Sequence, residues 1–185
     1  QNLFGGGAGA SGTLTLVDTT NTDLFLTGIE ELVYDGEGGN DSLTVNYSGT
    51  ATYTAGEATD AGAFAVDSML PLNFQALGAT GTVTVDSTGA TDVLAVIGTG
   101  FDDVFALTST GLRLNSQLAI AHNLSSTETV RLSGGDPATG SDAATVTGTT
   151  GVDTVGIALN AQTLTGIGPA INLAGIERLT YLDNG

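Results

Sequence analysis

Apolar and polar residues alternate along most of this chain, but only for a few residues at a time. Leu43, Val45 and Tyr47 alternate with Thr44 and Asn46, and the pairs Leu94/Val96, Phe105/Leu107, Leu112/Leu114 and Leu118/Ile120 behave in the same way. A period of two sends one set of side chains to one face, which is the mark of a half-buried strand. No apolar stripe keeps helical spacing beyond two turns. The pattern therefore predicts an all-β chain of short strands closed by Gly, Asp and Asn. Val104 to Leu107, the turn Thr108-Ser109-Thr110-Gly111, and Leu112 to Leu114 read as a hairpin or a solenoid corner. The segment Ala55 to Leu77 departs from the pattern and reads as an insertion or a distorted turn on one edge.

The strands recur. Leu26-Thr27-Gly28-Ile29-Glu30-Glu31-Leu32-Val33-Tyr34 matches Leu173-Ala174-Gly175-Ile176-Glu177-Arg178-Leu179-Thr180-Tyr181 without a gap, and weaker copies run from Leu124 to Leu132 and near Gly81 to Val85. Taking Glu30, Gly81, Glu128 and Glu177 as marks, the steps are 51, 47 and 49 residues. A second block, Asp92 to Thr99 against Asp142 to Thr149, steps by 50, and Asp103 aligns with Asp153 at the same step. Short strands with turn corners at a fixed period predict a β-solenoid, parallel β-helix-like, of about four degenerate repeats of roughly 49 residues. The repeats fall near 30–80, 81–127 and 128–176, with a partial repeat split between 177–185 and 1–29. A tandem β-sandwich is the alternative, since it also has short strands and frequent turns.

Composition sharpens this picture. Hydrophobic residues make up 41%, enough for a core, but aromatics only 5%, so that core is aliphatic and thin. Twenty acidic residues face three arginines (Arg113, Arg131, Arg178) and no lysine, for a formal charge of −17. Nucleic acid and anionic membrane surfaces are poor partners for such a chain, because both need cations to replace their counterions. Dense carboxylates among glycines suit a hard divalent cation, Ca2+ above all, or else a surface that stays soluble through its charge. Without cysteine there are no disulfides, thiolate metal sites or Cys nucleophiles. Without lysine there are no isopeptide staples or Schiff bases. No apolar run approaches the ~20 residues of a membrane helix. Gln1 is not an initiator methionine, which fits a processed, excised or partial chain and a removed leader. A Gly/Thr/Asp-rich chain without Lys or Cys points to the cell surface or the extracellular space.

Gly36-Glu37-Gly38-Gly39-Asn40-Asp41-Ser42-Leu43 resembles the Gly-Gly-x-Gly-x-Asp-x-hydrophobic nonapeptide of RTX (repeats-in-toxin) β-rolls. Gly98 to Phe105 and Gly148 to Val155 are weaker copies, matching at Gly98, Asp103 and Phe105 and at Gly148, Gly151, Asp153 and Val155. The resemblance implies Ca2+ held by turn carbonyls and Asp carboxylates, with Gly36, Gly38, Asn40, Asp41, Asp103 and Asp153 as candidate ligands. RTX nonapeptides follow one another directly, whereas these copies are isolated, and Glu37 and Phe101 stand where the motif has glycine. For Asp103 and Asp153 the competing reading is an Asx corner that satisfies backbone donors. The wider pattern, Gly-Ile-Glu-x-Leu, then Gly-Gly-Asn-Asp, then Gly-Thr-x-x-x-Asp-x-Phe-x-Leu, is similar to repeats of very large bacterial surface and secreted proteins. That similarity implies a structural or adhesive role.

Enzyme chemistry finds little footing. His122, the sole histidine, lies late in a strand and reads as an outward-facing residue. No Ser sits in a Gly-x-Ser-x-Gly elbow, and Asp102 and Asp103 are adjacent and face opposite sides of a strand. Arg131 and Arg178, one repeat apart beside Glu128 and Glu177, read as repeated surface ion pairs. Gly5-Gly6-Gly7-Ala8-Gly9 precedes a strand and lacks the Gly-Lys-Ser/Thr of a phosphate loop. No capping turn is evident at either end, where a solenoid exposes strand edges. The expectation is a non-enzymatic, extracellular β-solenoid that associates with itself head to tail in a filament, fibre or surface layer. A Ca2+-stabilised module of a bacterial adhesin or secreted RTX-like protein is the alternative, with cell-surface polysaccharide as a candidate partner, and a carbohydrate-active β-helix enzyme comes third.

Overall fold

The computed structural model describes residues 30–67, 69–135 and 141–185. The strands expected at Thr13 and Leu24, the glycine run Gly5 to Gly9 and the N-terminal part of the split repeat lie outside these residues. Among the described residues there are sixteen strands and no helix. The first five are β1 (Leu32–Asp35), β2 (Ser42–Tyr47), β3 (Thr50–Ala55), β4 (Gly62–Val66) and β5 (Leu72–Gln75). The next five are β6 (Thr82–Ser87), β7 (Val93–Ile97), β8 (Val104–Leu107), β9 (Gly111–Leu114) and β10 (Ile120–His122). A third set comprises β11 (Thr129–Ser133), β12 (Ala143–Thr147), β13 (Gly156–Ala158), β14 (Thr163–Thr165) and β15 (Ala170–Ala174), and β16 (Arg178–Leu182) opens a fourth.

These strands make a β-solenoid of two facing sheets. One runs β1-β5-β4-β3-β7-β11-β15-β14-β13 and the other β16-β12-β8-β9-β10-β6-β2. Because both sheets continue through all the repeats, the tandem-sandwich alternative does not apply. The connection rule follows from the sheet orders. When the chain crosses to the other sheet for a whole meander and returns, it lands on the adjacent strand, as from β2 to β6, β7 to β11 and β12 to β16. When it crosses for a single strand and returns, it lands three strands further along, as from β1 to β3, β5 to β7, β6 to β8, β10 to β12 and β11 to β13. Two antiparallel hairpins then bring it two strands back: β3-β4-β5, β8-β9-β10 and β13-β14-β15. Short turns can only join neighbouring antiparallel strands, whereas the parallel pairs need the crossing. The meanders fill the gaps that the crossings leave.

Two expectations change here. Ala55 to Leu77 is no insertion, since it carries β4 and β5, the same meander that β9-β10 and β14-β15 form in later repeats. The coil is also not purely parallel. The first strands of successive repeats, β1, β6, β11 and β16, alternate between the two sheets, so each repeat is turned by half a revolution relative to the last. Equivalent residues one repeat apart therefore do not stack. Stacked partners are closer in sequence: 43 residues for Gly49 and Asp92, 39 for Asp103 and Asp142, 35 for Asp142 and Glu177.

Period-two alternation supplies the core. β2 reads exposed-buried three times over, with Leu43, Val45 and Tyr47 inward, and β8 and β9 bury Phe105, Leu107, Leu112 and Leu114. Each such side chain gains about 1.5–3 kcal/mol from burial. An aromatic cluster lies in the first meander, where Tyr53 packs on Phe64 and Phe74 at centroid distances of 5.3 and 6.4 Å. Gly62 sits against these rings, and a Cβ there would come within 2.6 Å of Tyr53 and 2.9 Å of Phe74.

Candidate calcium-binding corners and the exposed end of the stack

The candidate ligands fall in three corners that the structure does not bring together. Gly36, Gly38, Asn40 and Asp41 form the corner between β1 and β2. Gly36 N–H donates to the Gln75 carbonyl (3.0 Å), Gly38 N–H to Ala76 (2.7 Å) and Asp41 N–H to Leu77 (2.8 Å). Asn40 Oδ1 accepts from Thr80 N–H at 3.1 Å. This corner is thereby laced to the one between β5 and β6, and Gly38 (φ 83°) and Asn40 (φ 78°) take the left-handed conformations that the turn demands.

Asp103 and Asp153 occupy equivalent corners one repeat apart, β7–β8 and β12–β13. Asp103 accepts from Thr99 N–H at 2.6 Å and from Asn115 Nδ2 at 2.5 Å. Asp153 accepts from Thr149 N–H (2.8 Å), Thr149 Oγ1 (2.7 Å) and Tyr181 Oη (2.9 Å). The Thr149 hydroxyl and the Tyr181 hydroxyl, with the Thr149 N–H, hold Asp153 below its ordinary value. Tyr181 is pushed up to about 12 by burial and by Asp153 and Asp183. In both corners the carboxylate folds back over the glycine five residues earlier, so a Cβ on Gly98 or Gly148 would collide with it. Gly36 and Asp41 repeat that relation. The Gly-x-x-x-x-Asp spacing behind the RTX resemblance closes a corner in all three places. Among the described residues, no three His, Asp or Glu side chains converge as a metal cage requires.

Sequence reasoning missed a second set of carboxylates, which lock one repeat to the next. Asp92 Oδ1 accepts from Gly49 N–H and Asp142 Oδ1 from Asp103 N–H, both at 2.7 Å. In each case the residue just before a third strand donates to the aspartate just before the next repeat's second strand. The signal was present in the alignment of Asp92 with Asp142. Their electrostatics differ. Gly49 N–H, helped by Gly89 N–H, holds Asp92 low, whereas burial and then the charges of Asp103, Glu177 and Asp102 push Asp142 up. Glu128 is not the acidic half of a surface ion pair. Glu128 is buried and accepts from Ser87 Oγ and Ser125 N–H, and Glu177 accepts from Asp142 N–H at 2.7 Å. Burial raises Glu128, but the Ser87 and Ser125 hydrogen bonds outweigh it and hold it low.

His122 does not face outward. It is 5% exposed, opposite Val85 on the inner face of β10, and neither ring nitrogen has a hydrogen-bond partner among the described residues. Burial depresses it to about 4, with Glu128 pulling weakly the other way. Tyr47, whose hydroxyl also lacks a partner among the described residues, is raised by burial, Asp92 and Glu128. His122, Glu128 and Tyr47 are thus buried polar groups in a largely apolar core.

Among the described residues, the end of the stack formed by β13 and β16 is apolar and carries no further strand. Val152, Ile157, Leu159 and Leu182 are exposed there, and Val155, Leu179 and Tyr181 only partly buried. Between the β12–β13 corner and the end of β16 lies an open cleft of about 650 Å3 lined by Val152, Asp153, Val155, Tyr181 and Asp183. Comparison with protein-family models, with curated proteins and with solved structures finds no match.

Proposed function

We propose that this chain is an extracellular structural protein, a β-solenoid subunit or segment of a filament, fibre or surface layer that stacks head to tail through its strand edges. The observation that carries the reading is the end at β13 and β16, where residues that are core in earlier repeats lie open. Each repeat shields the apolar face of its neighbour, so the last one has a face that only another repeat covers. A −17 charge without lysine suits a surface that repels itself sideways and joins only end to end. Light scattering and negative-stain imaging across a concentration series test the reading, with linear assemblies the expected result. Monomers at every concentration overturn it.

The Ca2+-stabilised adhesin-like alternative draws on the same corners, where Asp41 and Asp103 are buried beside glycines. It calls for a Tm that rises with Ca2+ and falls with chelator. A Ca2+-independent Tm removes it and leaves the filament reading standing.

A further inference from the structure

The three meanders place equivalent residues at equivalent points of the core, and one of these residues differs in kind. The last strand of each meander lies parallel to the first strand of its own repeat: β5 on β1, β10 on β6 and β15 on β11. Phe74 stands opposite Tyr34, His122 opposite Val85 and Leu173 opposite Leu132. Antiparallel pairing with the middle strand gives the same alignment, with Leu72 on Phe64, Ile120 on Leu112 and Ile171 on Leu164. A position that is apolar in the first and third meanders thus carries an ionisable ring in the second.

That ring is buried, and neither of its nitrogens has a hydrogen-bond partner among the described residues. Glu128, just ahead of β11, is the group whose charge reaches it, and this carboxylate is already committed to Ser87 and Ser125. Asp86 of β6, Arg113 of β9 and Arg131 of β11 alternate to the outer face of their sheets. Asp92, ahead of β7, acts on Tyr47 and Glu128. A proton on His122 therefore meets no acceptor among the described residues and is well solvated only in water. The strand that carries the ring is also the shortest of its kind: β10 has three residues, against four in β5 and five in β15.

We propose that the second meander is an acid-released panel: protonation of His122 frees β9 and β10 from their sheet while the first and third meanders stay in place. Local opening draws on the segment held least, and the ring binds its proton more tightly once it reaches water, so acid favours each opening. In the sheet order the panel fills the space between β8 and β6. Its release uncovers the facing edges of both strands. Acid thereby creates pairing edges inside a sheet that has none there while the panel is seated. The device rests on the fold alone and not on how copies of the chain join.

Hydrogen exchange read by mass spectrometry at pH 7 and pH 4, corrected for the intrinsic pH dependence of exchange, tests this on the whole chain. With His122 depressed to about 4 from an unfolded value of about 6.5, opening of β9 and β10 should rise about 100-fold between the two. Opening of β4–β5 and β14–β15 should change less than about ten-fold. His122→Leu supplies the kind of residue that the other meanders carry at this position, and it should remove the rise in β9 and β10. His122→Phe, which copies the first meander, serves the same end should the Leu variant fail to fold. An equal rise in all three meanders, a rise that persists without the histidine, or no rise in β9 and β10 overturns the proposal.

Discussion

At the scale of single residues, the buried polar groups decide how this protein responds to pH. His122 is depressed to about 4 from an unfolded value of about 6.5. The native state therefore holds it neutral while the unfolded chain takes up a proton first. Stability from this residue is complete above pH 6.5 and is lost as pH falls toward 4, by up to about 3 kcal/mol. Glu128, whose charge reaches it, accepts from Ser87 and Ser125 instead and gives neither ring nitrogen a hydrogen bond that would retain the proton. His122→Leu removes an unsatisfied buried ring. It should leave Tm at pH 7 unchanged or higher and abolish the fall between pH 6.5 and 4, which thermal melts across that range check. Asp92 and Asp142 give a second contrast at equivalent positions. Asp92→Asn replaces one of two accepting oxygens with a donor opposite a backbone N–H, so Tm should fall. Asp142→Asn keeps the oxygen that Asp103 needs and removes a charge disfavoured by burial and by Asp103, Glu177 and Asp102, so Tm at pH 7 should hold or rise. If the two variants move together, the carboxylates are not acting through their different surroundings.

At the scale of elements, the turns and the meanders set the architecture. Gly62 lets β4 pass beneath Tyr53 and Phe74, and Gly62→Ala should cost about 1–3 kcal/mol through overpacking, read by denaturant melts. Phe105, sealed at the start of the second meander, should cost about 3–5 kcal/mol on replacement by Ala. The strands themselves were legible, because alternation at Leu43/Val45/Tyr47 or Phe105/Leu107 has no other reading. The hairpin after Leu107 was legible from its turn residues. His122 was misplaced, although Ile120 two residues earlier fixes its face as inward; its polarity outweighed the period. Ala55 to Leu77 was misread because Met69-Leu70-Pro71 breaks the alternation while the backbone still completes β4 and β5. The repeat length was visible, but which sheet each strand joins was not. A strand alternates in the same way whichever sheet receives it, so the half-turn between repeats leaves no trace in hydropathy. The six candidate ligands were recognised as corner residues. Their partners, Thr99, Asn115, Thr149 and Tyr181, come together only once the corners are folded.

At the scale of the whole molecule, charge opposes what the apolar end favours. Copies carrying −17 repel one another across a Debye length of about 10 Å at 0.1 M salt. Assembly should therefore strengthen as NaCl rises from 0.05 to about 0.5 M, followed by light scattering. A matched series in Ca2+ at equal ionic strength separates general screening from specific corner binding: coincident curves mean screening alone. Assembly that weakens with salt counts against an apolar joint.

The half-revolution between neighbouring repeats has one more outcome. Over any two repeats the front and back of the ribbon carry the same features in alternation, so neither side is privileged. A long array would present the same face to both of its surroundings, its features recurring along the stack every two and a half strand widths, or ~12 Å. Anything that recognises one face would coat the other equally and gather such ribbons into stacked sheets rather than round bundles.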